Sequence, residues 1–300
     1  MELRHLRYFV AAAETLHFGR AAEQLGIAAP TLTVQIQEIE RTLSARLFAR
    51  TKRSVALTPA GEIFLAEARA VLARFARAES VGRRAGRGEI GRIEIGYVGS
   101  AVYAGVLQTQ VSRFRTTWPE VDIRSSEFPM IDLPTLVAEG QVDVGFVRMP
   151  MALPAGLGRH MIAQDDFCVA LPAGHPKAAS HAPLRPAQLA KETFVLPEQN
   201  AGTVEVARRG RFDAEIVGSP GSLVAVLSQV SLGSVISIVP SVAARAVHLT
   251  NTAFRSLAGD PIRSEVAAIF RTRETSPAVR HFIEQIRRSP PIEMRLGVSN

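Results

Sequence analysis

Among the 300 residues there is a single cysteine, Cys168. An intramolecular disulfide, a cysteine-cluster zinc site and a two-cysteine redox switch within one chain are thereby excluded. In the apolar run from Phe167 to Leu171 it reads as a small core side chain. Long apolar runs are lacking too. The longest, Ser222 to Ala244, is broken by Ser228, Gln229, Ser231, Ser234 and Pro240, short of the ~20 unbroken apolar residues that a spanning helix needs. No membrane is expected as a partner. The charged start Met1-Glu2-Leu3-Arg4-His5 has no apolar signal core, which makes the cytoplasm the expected compartment. His5, His17, His160, His175, His181, His248 and His281 are scattered without ligand spacing, and Gly96-x-x-Gly99 lacks the third glycine of a dinucleotide fingerprint. Neither metal, cofactor nor enzymatic activity is expected.

What is present is a globular composition, 47% hydrophobic and 21% charged, long enough for about two domains of ~150 residues. The net charge of +7 is unevenly placed: residues 1–88 hold 14 Lys/Arg against 8 Asp/Glu, and the remainder holds 21 against 20. A basic segment joined to a near-neutral one suits a nucleic-acid-binding unit fused to another domain. Basic charge serves solubility equally well, so the pattern has to decide.

Leu3, Leu6, Phe9 and Val10, then Ala21, Ala22 and Leu25, then Leu32, Ile36, Ile39 and Leu43 recur at helical spacing. Gly26 supplies a corner between the second and third helices, and Pro30 suits a first helical turn. This is the layout of a helix-turn-helix, whose second helix enters the DNA major groove. With the apolar positions turned inward, Pro30, Thr31, Thr33, Val34 and Gln37 face outward, with Gln35 at the border. Residues 50–57 suit a small hairpin, a wing whose Arg50, Lys52 and Arg53 would lie along the DNA backbone. Thr58-Pro59 then starts a long helix in which Phe64, Ala68, Val71 and Phe75 form a seam. That seam either pairs two subunits or packs on its own domain.

These residues resemble the LysR-type transcriptional regulators. The likeness is carried by Met1 to Phe9, Gly19-Arg20-Ala21-Ala22-Glu23-Gln24-Leu25, Pro30, Gln35-Ile36, Glu40, Leu47-Phe48, Arg50 and Leu57-Thr58-Pro59-Ala60-Gly61, and is dense over residues 1–66. It implies a winged helix-turn-helix DNA-binding domain over 1–58, a dimerising linker helix over 59–88 and a two-lobed α/β effector domain like periplasmic binding proteins over 89–300. Lobe I is expected at about 89–163 and 268–300, lobe II at about 164–267. The resemblance adds Arg20 to the expected DNA contacts, a homotetramer, and RNA polymerase as a further partner. One departure falls on the reading helix. The usual Ser-Gln-Pro-x-Leu-Ser-Arg-Gln is here Ala28-Ala29-Pro30-Thr31-Leu32-Thr33-Val34-Gln35, so base contact is expected to be thinner, resting on Thr31, Thr33, Gln35 and apolar contact with thymine methyls.

In the remaining chain, strands at 92–98, 121–127 and 142–147 alternate with helices at about 101–117 and 133–139, a series that calls for a parallel sheet covered on both faces. A second series has strands at 167–171, 194–196 and 235–239 and helices at about 204–212 and 223–230; strand 265–270 and helix 276–288 close the chain. Ligands of such sheets sit at strand carboxyl ends, which points to Gly99, Ser100 and Ala101 after the first strand, where Ser100 equally serves as an ordinary cap. The resemblance, closest in pattern to members regulating aromatic-compound breakdown, adds Ser100, Arg148 and Thr203 as effector contacts and implies a carboxylate or aromatic acid. Phe128 and Met130, where relatives carry Ser or Thr after glycine, make that wall more apolar. A solute-binding protein without a DNA target would share the two lobes and leave the basic first third unexplained.

Overall fold

The computed structural model describes residues 1–51 and 54–294; Lys52 and Arg53, two expected wing contacts, lie outside these. The chain divides into two units, Met1–Arg84 and Ala85–Asn300.

The first unit opens with α1 (Leu3–Thr15), α2 (Phe18–Gln24) and α3 (Ala29–Leu43). A left-handed Gly26, φ +65°, turns the chain between α2 and α3, and Pro30 sits in the first turn of α3, where no intrahelical N–H is needed. Leu6, Phe9, Ala21, Ala22, Leu32, Ile36 and Ile39 close on one another as the core, as their spacing requires. Next come β1 (Phe48–Arg50) and β2 (Val55–Leu57), an antiparallel wing, and then α4 (Pro59–Gly86). Thr58 fixes the start of α4: its hydroxyl donates to the Arg46 carbonyl at 2.7 Å and accepts the Gly61 N–H at 3.0 Å.

The seam expected to pair two subunits is largely spent inside this unit. Ala68 is fully buried, the Phe64 ring lies 4.8 Å from Phe9, and the Arg7 guanidinium stacks over Phe75 at 5.9 Å. The apolar residues that stay outside are Ile63, Val71 and Val81. At 100° per residue they mark, with Ala70 and Ala78, a second face roughly 120° round the helix from the buried one.

The second unit begins with β3 (Gly91–Tyr97), α5 (Gly99–Tyr103), α6 (Val106–Thr117), β4 (Val121–Glu127), α7 (Leu133–Ala138) and β5 (Val144–Met149). The helix expected over 101–117 is thus two helices, because Gly105 takes a left-handed φ of +72° and ends the first. β3 pairs in parallel with β4 and β5, as the alternating pattern predicts. The expected strand at 167–171 is only the end of a sixteen-residue strand, β6 (Leu157–Pro172). Then follow β7 (Thr193–Val195), α8 (Ala201–Gly210), β8 (Glu215–Gly218), α9 (Leu223–Ser231), β9 (Ser237–Pro240), α10 (Ala243–Ala246), β10 (Thr252–Ser256), β11 (Arg263–Arg271), α11 (Pro277–Arg288) and β12 (Ile292–Met294). The main sheet runs β10-β6-β11-β5-β3-β4, with β9 and β12 also on β6. It is mixed rather than parallel, because β11 returns antiparallel to both β5 and β6.

β6 serves two cores. Ile162 and Ala163, in its first half, join Ile93, Phe114, Phe146, Ile269 and Phe282. In its second half the pleat sends Phe167, Val169 and Leu171 to one face and Cys168 and Ala170 to the other, each face covered by its own apolar cluster. A strand buried on both faces reads as a continuous apolar run, which is how this segment reads.

Candidate functional site

On the first unit, α3 presents Pro30, Thr31, Val34 and Gln37 to the outside, Val34 at 59% exposure, while Thr33 and Gln35 are half-buried. The Thr33 hydroxyl donates to the Ala29 carbonyl at 3.0 Å, which leaves its oxygen lone pairs for an outside donor. Arg20 is exposed at the third position of α2. Arg50 is less available than expected. Its guanidinium lies 4.4 Å over the Phe18 ring and 3.7 Å from the Glu40 carboxylate, bracing α2 and α3 against the wing.

Glu40, part of the motif but without an assigned role, proves to be an organiser. Its Oε1 accepts the N–H groups of Leu47 and Phe48 at 2.8 and 3.1 Å. Charge-assisted bonds of this kind contribute about 1.5–3 kcal/mol each and fix the start of the wing on the reading helix.

In the second unit, Gly99, Ser100, Met130 and Arg148 come together around one small pocket of about 20 Å³, whose other walls include Glu198, Gln199 and Gly221. Ala101 is buried, Phe128 packs on the first core, and Thr203 is buried in α8 with its hydroxyl unpartnered. None of these three is among the residues that line the cavity.

Arg148 does not act as the open anion fork that was expected. It is 1% exposed; Nη1 donates to Asp165 Oδ1 at 2.5 Å and to Ser264 Oγ at 2.8 Å, and Nη2 donates to the Ser100 carbonyl at 3.2 Å. Burial pushes its pKa down and the Asp165 charge supports it. Asp165 Oδ2 in turn accepts the Val242 N–H at 3.2 Å, so the pair ties β5, β6 and the approach to α10 together. A short apolar strand ending in arginine does not announce this, because the balancing carboxylate lies on a distant segment.

Sequence reading also missed the acidic side of the site. Glu198 Oε1 accepts the Met130 N–H at 3.2 Å, and burial, joined by the Glu127 charge, pushes the Glu198 carboxyl up. A side chain at Gly99 would come within 2.7 Å of Glu127 Oε1, so that carboxylate crowds the turn where an anion is expected from sequence. Gln199, 6% exposed, donates from Nε2 to the Met149 carbonyl at 2.7 Å and leaves Oε1 unpartnered. An open groove of about 800 Å³ shares Met130, Glu198 and Gly221 with the small one and is bordered by the exposed Ile131 and by Pro134, Met151, Leu153 and Pro154.

The raised Glu198 carboxyl makes a stability prediction. A carboxyl whose folded pKa is raised contributes most below its unfolded value of about 4, and the contribution declines as pH climbs through the folded value. Glu198→Gln, which stays neutral, is expected to raise Tm by roughly 1–3 °C at about pH 7.5 and to leave it unchanged near pH 4. Thermal melts at the two pH values check this, and a lower Tm for the variant at the higher pH contradicts it.

Taken together, an exposed helix-turn-helix edge with a wing and a two-core α/β unit bearing an open, ligand-sized cleft define a ligand-responsive DNA-binding protein. The comparisons agree. Residues 3–62 match the bacterial regulatory helix-turn-helix protein, lysR family, and residues 86–290 match the LysR substrate binding domain. The chain is 36% identical to the uncharacterized HTH-type transcriptional regulator YnfL of Escherichia coli, over 94% of this chain and 96% of that one. It is 34% identical to the HTH-type transcriptional regulator AlsR of Bacillus subtilis, over 94% of each. The solved structure of full-length CbnR complexed with its target DNA superposes with a TM-score of 0.80 at 28% identity, covering 96% of this chain and 99% of that chain. The chain belongs to the LysR family of transcriptional regulators, with a DNA-binding helix-turn-helix and an effector-binding domain.

Proposed function

We propose that the chain controls transcription at an operator read by α3 and the wing, in response to a small molecule held between the two cores of its second unit. The observation that carries this reading is the split of α3, with Leu32, Ile36 and Ile39 in the core and Pro30, Thr31, Val34 and Gln37 left outside. Residues 1–58 would form the DNA-binding domain, 59–88 the linker and 89–300 the effector domain, with lobe I at about 89–163 and 268–300 and lobe II at about 164–267. Arg20, Thr33, Gln35, Arg50, Lys52 and Arg53 would add phosphate and base contacts. A cytoplasmic homotetramer, with linker helices meeting through Ile63, Val71 and Val81, would span successive major-groove turns, and RNA polymerase would be its downstream partner.

The cleft is read as a binding site, in keeping with the match of residues 86–290 to the LysR substrate binding domain. The apolar walls of the larger cavity suit an aromatic or aliphatic body. That suits a regulator of aromatic-compound breakdown.

The test is retardation of DNA from the chain's own upstream region at low salt, followed by footprinting of Val34→Arg. A guanidinium at this exposed position is expected to shift affinity or base preference by roughly tenfold, since a good bidentate base contact discriminates by about 1–3 kcal/mol. Unchanged affinity and preference would remove Val34 from the interface, and failure of the native chain to retard any such fragment would remove the regulator reading.

A further inference from the structure

The chemistry of the effector can be narrowed from the charges and unmet hydrogen bonds that face the cleft. Arg148 supplies a positive charge to the small cavity, and Asp165, buried beside it at 2.5 Å, already balances it. What remains is acidic: Glu198 in the wall shared by both cavities, with the exposed Glu127 beside Gly99 and outside the lining of either cavity. Independently, Gln199 Oε1 is an acceptor without a donor on a side chain that is 94% buried and lines the small cavity. Its amide nitrogen is fixed on the Met149 carbonyl, so the oxygen is the end left unmet. The unpaired donor nearby, Arg148 Nε, belongs to the guanidinium that Asp165 neutralises and adds no net charge.

Size points the same way. A volume of about 20 Å³ admits a single small polar head, and a carboxylate placed there would face the like charge of Glu198. The neighbouring 800 Å³ has room for a drug-sized apolar body.

We propose that this cleft takes an apolar-bodied organic amine, its ammonium donating to the Glu198 carboxylate and to Gln199 Oε1, and its hydrocarbon lying against Met130, Ile131, Met151 and Leu153. The proposal rests on the effector-responsive reading above and replaces the anionic effector expected from sequence by a cationic one. A bound ammonium satisfies the unmet carbonyl and compensates the half-buried carboxylate at once, which a neutral or anionic head does not. Binding is thereby coupled to the relation between the two cores, because Met130 belongs to the segment after β4 and Glu198 to the segment after β7.

The experiment is isothermal titration of the full chain with three matched probes: 2-phenylethylamine, 2-phenylethanol and phenylacetate. The amine is expected to bind about tenfold or more tighter than phenylacetate, with the alcohol between them. Glu198→Gln is expected to weaken the amine by about tenfold and to leave phenylacetate no weaker; the exposed Glu127→Gln, which asks little of the fold, is expected to weaken the amine about threefold. Tighter binding of phenylacetate, equal amine affinity in both variants, or no heat from any probe would overturn the amine assignment. Retardation of upstream DNA, run in parallel without probe, separates the two readings. Retained DNA binding with no preference for the amine sinks the ligand class alone, whereas absent DNA binding sinks the regulator reading and leaves the titration to judge the cleft by itself.

Discussion

Gly61→Ala is expected to cost the first unit at least about 3 kcal/mol and with it DNA retardation. Gly61 lies in the first turn of α4, and within a helix such a change ordinarily favours alanine, by up to roughly 0.5–1 kcal/mol in the interior, because alanine loses less backbone freedom. Here the sign reverses. The added carbon would lie 2.1 Å from the Leu47 carbonyl oxygen and 3.0 Å from a Leu57 methyl. The obstacle is backbone, and it cannot rotate away. Leu47 is pinned through its own N–H to Glu40, and its carbonyl accepts the Thr58 N–H at 3.0 Å. Gly82 on the same helix is the control, with nothing within 4 Å of an added carbon, so Gly82→Ala is expected to be neutral or slightly stabilising. Thermal melts of both variants, read beside gel retardation, decide the matter. Equal behaviour would mean that the packing of α4 on the wing does not govern the unit.

Removing the Arg148 side chain has the other large effect. Arg148→Met is expected to destabilise the second unit by about 3–5 kcal/mol, because it strands the Asp165 charge where no solvent reaches it. Adding Asp165→Asn should recover much of the loss, since the Asn carbonyl can still accept the Val242 N–H that Asp165 Oδ2 accepts at present. Denaturant unfolding of the single and double variants closes this cycle. A double variant weaker than Arg148→Met would show that the pair is not coupled as its geometry implies. The cycle bears on ligand chemistry too, because an anionic effector could claim Arg148 only by displacing a carboxylate 2.5 Å away.

Much of this architecture is legible in the residue pattern. The three short helices, the wing and the strand-helix alternation of 91–149 follow from periodicity, since each element buries one face of its own. What escaped reading depended on neighbours far along the chain. The break at Gly105 was hidden because apolar spacing continues through it. β8 is short and largely exposed and β10 short and half-buried, with little alternation to betray either. The length of β6 was masked by polar residues at 164–166, two of which are the carboxylates Asp165 and Asp166, paired to Arg148 and Arg263. At the site, the positions around Ser100 were legible as a strand end, but the roles of Arg148, Glu198 and Gln199 turn on partners 17 to 116 residues away. Neutralisation of that kind is a tertiary property and leaves no mark on local spacing.

The way β6 threads both cores sets a limit on how this chain can be cut. The segment that builds the second core leaves the first sheet at β6 and rejoins it at β11, so it is an insertion and not an appendix. A fragment stopping anywhere before α11 would strip Phe282, Ile283 and Ile286 from the first core and leave it open to water. Excision of the inserted segment, with its ends rejoined across the gap between β6 and β11, is the dissection that the topology permits.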